Sequence, residues 1–187
     1  MNFIWENILR LKDREKDIAG TLAENFLFQD LSRRELKFVE SIVHLRRFRQ
    51  GETIFREGEM GVGMYIIVKG TIDILVTDIA IDESSAEQIY ITRLIAGDFF
   101  GELSLVEENS RRTASAVAHE ETLLIGFFKP DLIEIMDRQP STGVKIVYRL
   151  AETLGRRLKE TADKVRHIRM LKGDTYMDDG HDVEASP

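Results

Sequence analysis

The sequence predicts an α+β fold: a sandwich, barrel or antiparallel jelly-roll-like β-roll of about eight strands, flanked by N-terminal helices and a long C-terminal dimerisation helix. Three observations predict it. Short runs rich in β-branched residues succeed one another from Val43 to Phe128. Glycines punctuate them at Gly51, Gly58, Gly61, Gly63, Gly70, Gly97 and Gly101. On both sides of this region the apolar spacing becomes helical.

Each element follows in order. Residues 1–25 form an amphipathic helical segment, because Ile4, Ile8, Leu11, Ile18 and Leu22 recur at helical spacing with charges between them. Ser32 followed by Glu35 fits a capping box, opening a helix with Leu36, Val39 and Ile42 on one face. The roll spans 26–138, with strands predicted at VHLRRF, ETIFRE, MYIIVKG, TIDILV, QIYITRL, TASAVA and ETLLIGF. DIAIDESSAE reads as a hairpin excursion with a polar tip. KPDLIEIMDR is a short helix with Pro130 in its first turn.

Pro140 and Ser141 open a long helix, 139–171, with no strong breaker before Leu171. On it Val147, Ala151, Leu154, Leu158, Thr161, Val165 and Ile168 alternate at spacings of four and three. That is a heptad seam, and it predicts a parallel homodimer. Residues 172–187 are an acidic polar tail predicted to be disordered.

Composition excludes several classes of function. The 187 residues are 43% hydrophobic and 32% charged, as in an ordinary soluble globular protein. With no cysteine there is no disulfide, thiolate zinc site or cysteine nucleophile. No apolar run approaches the roughly 20 residues that span a bilayer. The opening MNFIWENILRLKDREKD is too charged for a secretory signal, so a cytoplasmic location is expected. A net charge of −7 argues against indiscriminate nucleic-acid binding, leaving room for a local basic patch. The four histidines, His44, His119, His167 and His181, show no metal-site spacing. There is no phosphate-loop, nucleophile-elbow or dinucleotide signature, and Glu107 and Glu108 read as solvated. Neither an enzyme nor a required cofactor is expected.

One stretch does carry chemistry. GDFFGELSLVEENSRRTASA places Gly97 and Gly101 around two aromatic residues, then a helical turn from Glu102. Backbone N–H groups opening such a turn are expected to be unpaired and to favour an anion. An arginine returning to the same spot adds a fork of donors suited to phosphate oxygens. Thr113 to Ala116 are small and let a ligand approach the strand. A glutamate only accepts hydrogen bonds at neutral pH, so Glu102 suits a sugar hydroxyl. Acid for hydroxyl, with base and amides for phosphate, describes a ribose phosphate.

FGELSLVEENSRRTASAV resembles the phosphate-binding cassette of the cyclic nucleotide-binding domain family, here at 100–116. FRQGETIFREGE, MYIIVKGTIDI and AGDFFGE look like successive strands and turns of that family's roll, so the resemblance runs from about Phe26 to Leu171. It is closest to the ligand-binding domain and dimerisation helix of the bacterial catabolite activators. The resemblance implies that Glu102 binds the ribose hydroxyl, and that Arg112 binds the cyclic phosphate with Thr113 and the amides of Leu103 and Ser104. It further implies that Arg157 steadies Glu102, that Thr161 reaches the base, and that Ile74, Gly101 and Ala114 line the site.

The sequence also departs from that pattern. Ala162 stands where the activators carry a serine that helps read the base. The residues after the long helix are too few for the activators' helix-turn-helix, so a protein partner, not specific DNA, is the expected target. Arg111 competes with Arg112 for the phosphate, because some family members have a shorter cassette. Cyclic AMP is favoured, but an arginine followed by threonine also resembles cassettes that take cyclic GMP. The leading expectation is a non-catalytic cyclic-nucleotide sensor coupling ligand binding to movement of the long helix. The alternatives are a dimeric scaffold that keeps the fold without the ligand, and a DNA-associated regulator using the basic run of the long helix.

Overall fold

The computed structural model describes residues 18–78 and 87–171. The hairpin tip, the acidic tail and most of the first amphipathic segment lie outside the described residues. By packing, the chain divides into two units between Leu150 and Ala151.

In the first unit, residues 18–24 are helical, and a 3-10 turn follows at Phe26–Phe28. Helix α1 spans Arg33–Glu40. The expected capping box forms: the Ser32 amide donates to Glu35 Oε2 at 2.7 Å, and the Glu35 amide donates to Ser32 Oγ at 3.4 Å. The strands are β1 His44–Phe48, β2 Thr53–Phe55, β3 Gly63–Lys69, β4 Ile72–Asp78, β5 Glu87–Leu94, β6 Phe99–Phe100, β7 Ser115–Ala118 and β8 Thr122–Phe128. Helix α2, Leu103–Val106, is a single turn; α3 spans Lys129–Arg138 and α4 Pro140–Leu171.

The strands form two four-stranded antiparallel sheets, ordered β1-β8-β3-β6 and β2-β7-β4-β5. Between them pack Ile67, Ile72, Phe100, Ala116, Ala118 and Leu124, flanked by Phe48, Phe55, Tyr65 and Ile74. The first sheet is also covered on its outer face, where Phe28 meets Phe127 edge-on with ring centroids 5.9 Å apart. Helical residues Leu22, Val39, Ile135 and Ile146 are fully buried too. That double covering explains why β8 reads TLLIGFF, an unbroken apolar run, where a half-exposed strand would alternate. Gly70, at φ +90°, turns β3 into β4, and β4 pairs with β5 from Ile72–Leu94 out to Asp78–Glu87, on either side of the predicted excursion.

The start of α4 is fastened to the N-terminal segment by charge. Lys145 Nζ lies 2.9 Å from both carboxylate oxygens of Glu35, and Arg149 forks onto Asp30 at 2.6 and 2.8 Å. In the second unit, α4 runs on to Leu171, as the absence of breakers predicted. Leu158, Val165 and Ile168 of the seam are 71%, 46% and 52% exposed.

Candidate functional site

The turn after β6 is built on Gly101, whose φ of +77° only glycine adopts easily. A Cβ at Gly101 would also lie 2.4 Å from Arg112 Nη1. Glu102 and Ser104 follow, 6% and 2% exposed, while Leu103 stands 39% exposed on the outer side of the turn. Buried acids are rare, so a Glu102 this enclosed is a first indication of a site. The Ser104 amide was expected to be unpaired; it donates to Gly101 O at 3.3 Å, because the turn closes tightly on itself.

The chain returns through Ser110 to Arg112, and the β2–β3 loop holds this return. Gly58 N donates to Arg112 O at 2.8 Å, Arg112 N to Glu59 O at 2.9 Å, and Gly61 N to Ser110 O at 2.8 Å. Arg111 lies outside, exposed, with Nη1 donating to Gly58 O at 2.7 Å. Arg112 turns inward and is 6% exposed. Its Nη1 donates to Gly101 O and to Ser104 Oγ, each at 3.1 Å. The Phe55 ring lies against the guanidinium, 4.0 Å from its carbon. Gly61 sits close on another side: a Cβ there would meet Ser104 Oγ at 1.9 Å and Arg112 Cζ at 3.4 Å. Burial pulls the guanidinium below the usual arginine value, opposed by Tyr65, Glu102 and Glu59. Its Nε is buried without a hydrogen-bond partner. A buried cation with a vacant donor is suited to an anion that brings its own acceptor.

The structure thus brings Gly101, Glu102, Ser104 and Arg112 together. Thr113 is exposed and Ala114 half-buried on the way into β7. Ile74, half-buried in β4, pairs with Ala116 of β7. Arg157 and Thr161 are exposed on α4 in the second unit, and the Thr161 hydroxyl donates to Arg157 O at 2.8 Å. Sequence reasoning missed Phe55, Gly61 and the hydroxyl of Ser104. Gly61 carried a signal, as a glycine in EGEMGVG beyond what one turn requires; Phe55 carried none, since it reads as an ordinary strand residue. Among the described residues no group of histidines and acids could hold a metal ion, and no helix is long and apolar enough to cross a membrane.

Residues 45–139, about half of the chain, match the family model described as the cyclic nucleotide-binding domain. The chain belongs to this family. It is 33% identical over 134 residues to the cyclic AMP receptor protein of Thermus thermophilus, covering 72% of this chain and 57% of that protein. Over 106 residues it is 35% identical to the cAMP-dependent protein kinase regulatory subunit of Debaryomyces hansenii, covering 57% of this chain and 21% of that protein. The crystal structure of the Thermus thermophilus catabolite activator protein superposes with a TM-score of 0.67 at 29% identity, covering 77% of this chain and 63% of that one. The chain therefore spans well under two thirds of the length of the curated relatives it matches. What this chain shares with them is the domain and its fold.

Proposed function

We propose that this chain is a non-catalytic cyclic-nucleotide sensor that prefers cyclic AMP to cyclic GMP. The observation that carries the reading is Arg112, a buried guanidinium with an unpartnered Nε, in the same cassette as buried Glu102. An unsatisfied buried donor costs about 1–3 kcal/mol, which a phosphate oxygen would relieve. Glu102 then accepts from the ribose hydroxyl, and Thr113 and the Leu103 amide complete the phosphate's surroundings. Ile74, Gly101 and Ala114 line the site. The exposure of Arg111 and its bond to Gly58 O favour Arg112 as the phosphate ligand. The names of the two relatives above, both referring to cyclic AMP, support the preference.

Occupancy shifts the long helix by the differential affinity of the ligand for two states, typically about 1–3 kcal/mol of coupling. The exposed seam on α4 pairs two copies in parallel, and an effector protein reads the helix position in the cytoplasm. The test is calorimetric titration with cyclic AMP and cyclic GMP, with Arg112→Ala as control. Micromolar or tighter binding of cyclic AMP, lost in the variant, is the expected result. No heat with either nucleotide from a folded protein would make it a scaffold.

A further inference from the structure

We propose that Phe55 and the hydroxyl of Ser104 are positioning residues that hold the Arg112 guanidinium in one orientation before any ligand arrives. This rests on the reading of Arg112 as the phosphate ligand and adds to it the device that aims it.

Arginine's long side chain carries much rotamer entropy, and a ligand that must freeze it binds more weakly for that reason. Here the freezing is already done. One nitrogen, Nη1, is tied to Gly101 O and Ser104 Oγ, fixing that corner of the fork. The Phe55 ring, its centroid 4.0 Å from Cζ, closes one face of the fork. The tied corner and the closed face together restrict how the planar group can turn. Nε stays buried and without a partner.

The ring is itself held. Phe55 stacks on Tyr65 with centroids 6.2 Å apart and meets Phe100 at 5.7 Å, and Tyr65 stacks on Phe100 at 5.7 Å. These rings come from β2, β3 and β6, so both sheets set the platform's position. A cation against an aromatic face gains most when desolvated, as this buried one is.

The experiment compares wild type, Phe55→Leu, Phe55→Tyr, Arg112→Lys and the double variant Phe55→Leu/Arg112→Lys. Two quantities are measured on each: cyclic AMP affinity by calorimetry, and, in the proteins that keep Arg112, its Nε–H resonance by NMR without ligand. The expected result is a five- to tenfold loss of affinity in Phe55→Leu, of the order a desolvated cation–ring contact supplies. The Nε–H resonance should move or broaden in the same variant, and Phe55→Tyr, which keeps the ring, should restore both. On the Arg112→Lys background, where there is no planar fork to aim, Phe55→Leu should add less than about twofold. Ser104→Ala should move the same resonance. Equal losses on both backgrounds, or no recovery with tyrosine, would reduce Phe55 to core packing and overturn the proposal, as would an unmoved resonance in Phe55→Leu. A wild type that binds neither cyclic nucleotide, yet whose Nε–H responds to Phe55→Leu, would refute the ligand reading and leave the positioning intact.

Discussion

Replacing Gly61 by alanine probes the Arg112 pocket from the loop side. The φ of Gly61 lies outside the left-handed region, so its backbone accepts alanine without strain. With open space around it, the change would stabilise the protein by about 0.4–1 kcal/mol through the unfolded state. The space is not open. The new Cβ would lie 1.9 Å from Ser104 Oγ and 2.8 Å from Ser104 Cβ. The hydroxyl can rotate away, but Ser104 Cβ is fixed to the backbone of α2. Carbon atoms pack at about 3.5–4.0 Å, so loop and helix must part by roughly 1 Å. Overpacking of this kind costs about 1–3 kcal/mol, which reverses the sign of the expected effect. Rotation of the hydroxyl also breaks its bond from Arg112 Nη1. A hydrogen bond to a charged group contributes about 1.5–3 kcal/mol, and 1.4 kcal/mol is a tenfold change in affinity, so cyclic AMP binding should weaken at least about tenfold. Urea unfolding and calorimetry measure the two effects. Adding Ser104→Gly should restore stability while leaving affinity reduced. A Gly61→Ala protein as stable as wild type and binding equally well would show that Gly61 does not pack as described.

Three further outcomes are expected. Gly101→Ala combines an unfavourable φ of +77° with a contact of 2.4 Å to Arg112 Nη1, so calorimetry should detect no cyclic AMP binding by a protein that circular dichroism shows folded. The Glu35 carboxyl is held at about 2, chiefly by the Lys145 ammonium, with Ser32 and Thr142 assisting against burial. A depressed carboxylate stabilises fully above its unfolded value and loses this as pH falls toward the folded one. Melting temperature should therefore decline from about pH 4.5 toward 2, and Glu35→Gln should flatten that window. Leu158, 71% exposed on the seam, should be essential to pairing: Leu158→Glu should sediment as a monomer where wild type sediments as a dimer.

The parts of the molecule legible in the sequence are those governed by near neighbours. The capping box at Ser32 formed as read, because its partners lie within one helical turn. The long helix ran from Pro140 to Leu171 because no further proline or other strong breaker interrupts it. Strand β6 was legible only through the resemblance of AGDFFGE: at two residues, Phe99–Phe100, it has no periodicity to detect and exists through its pairing with β3. The cassette's glycine, glutamate and arginine were visible as residue types at a telling spacing. The surroundings of Arg112 were not, since Phe55 reaches it across the roll, and only packing decides which of two adjacent arginines turns inward. The freedom expected of the Ser104 amide failed for a local reason, because the turn at Gly101 is tight enough to use it.

The bonds joining the β2–β3 loop to the cassette's return connect stretches far apart in sequence, as the one from the Arg111 side chain to Gly58 O, 53 positions away, illustrates. Closing a loop of that length costs entropy before any contact repays it. On a ribosome the loop emerges long before its counterpart, so the socket is completed only after most of the roll has been made. An excised cassette peptide should be inert for the same reason. A ligand that binds only the closed form also stabilises it by mass action, in proportion to how far its concentration exceeds Kd. Damage that loosens the roll anywhere along this lacing would therefore register first as lost responsiveness to the nucleotide, while the protein was still folded and soluble.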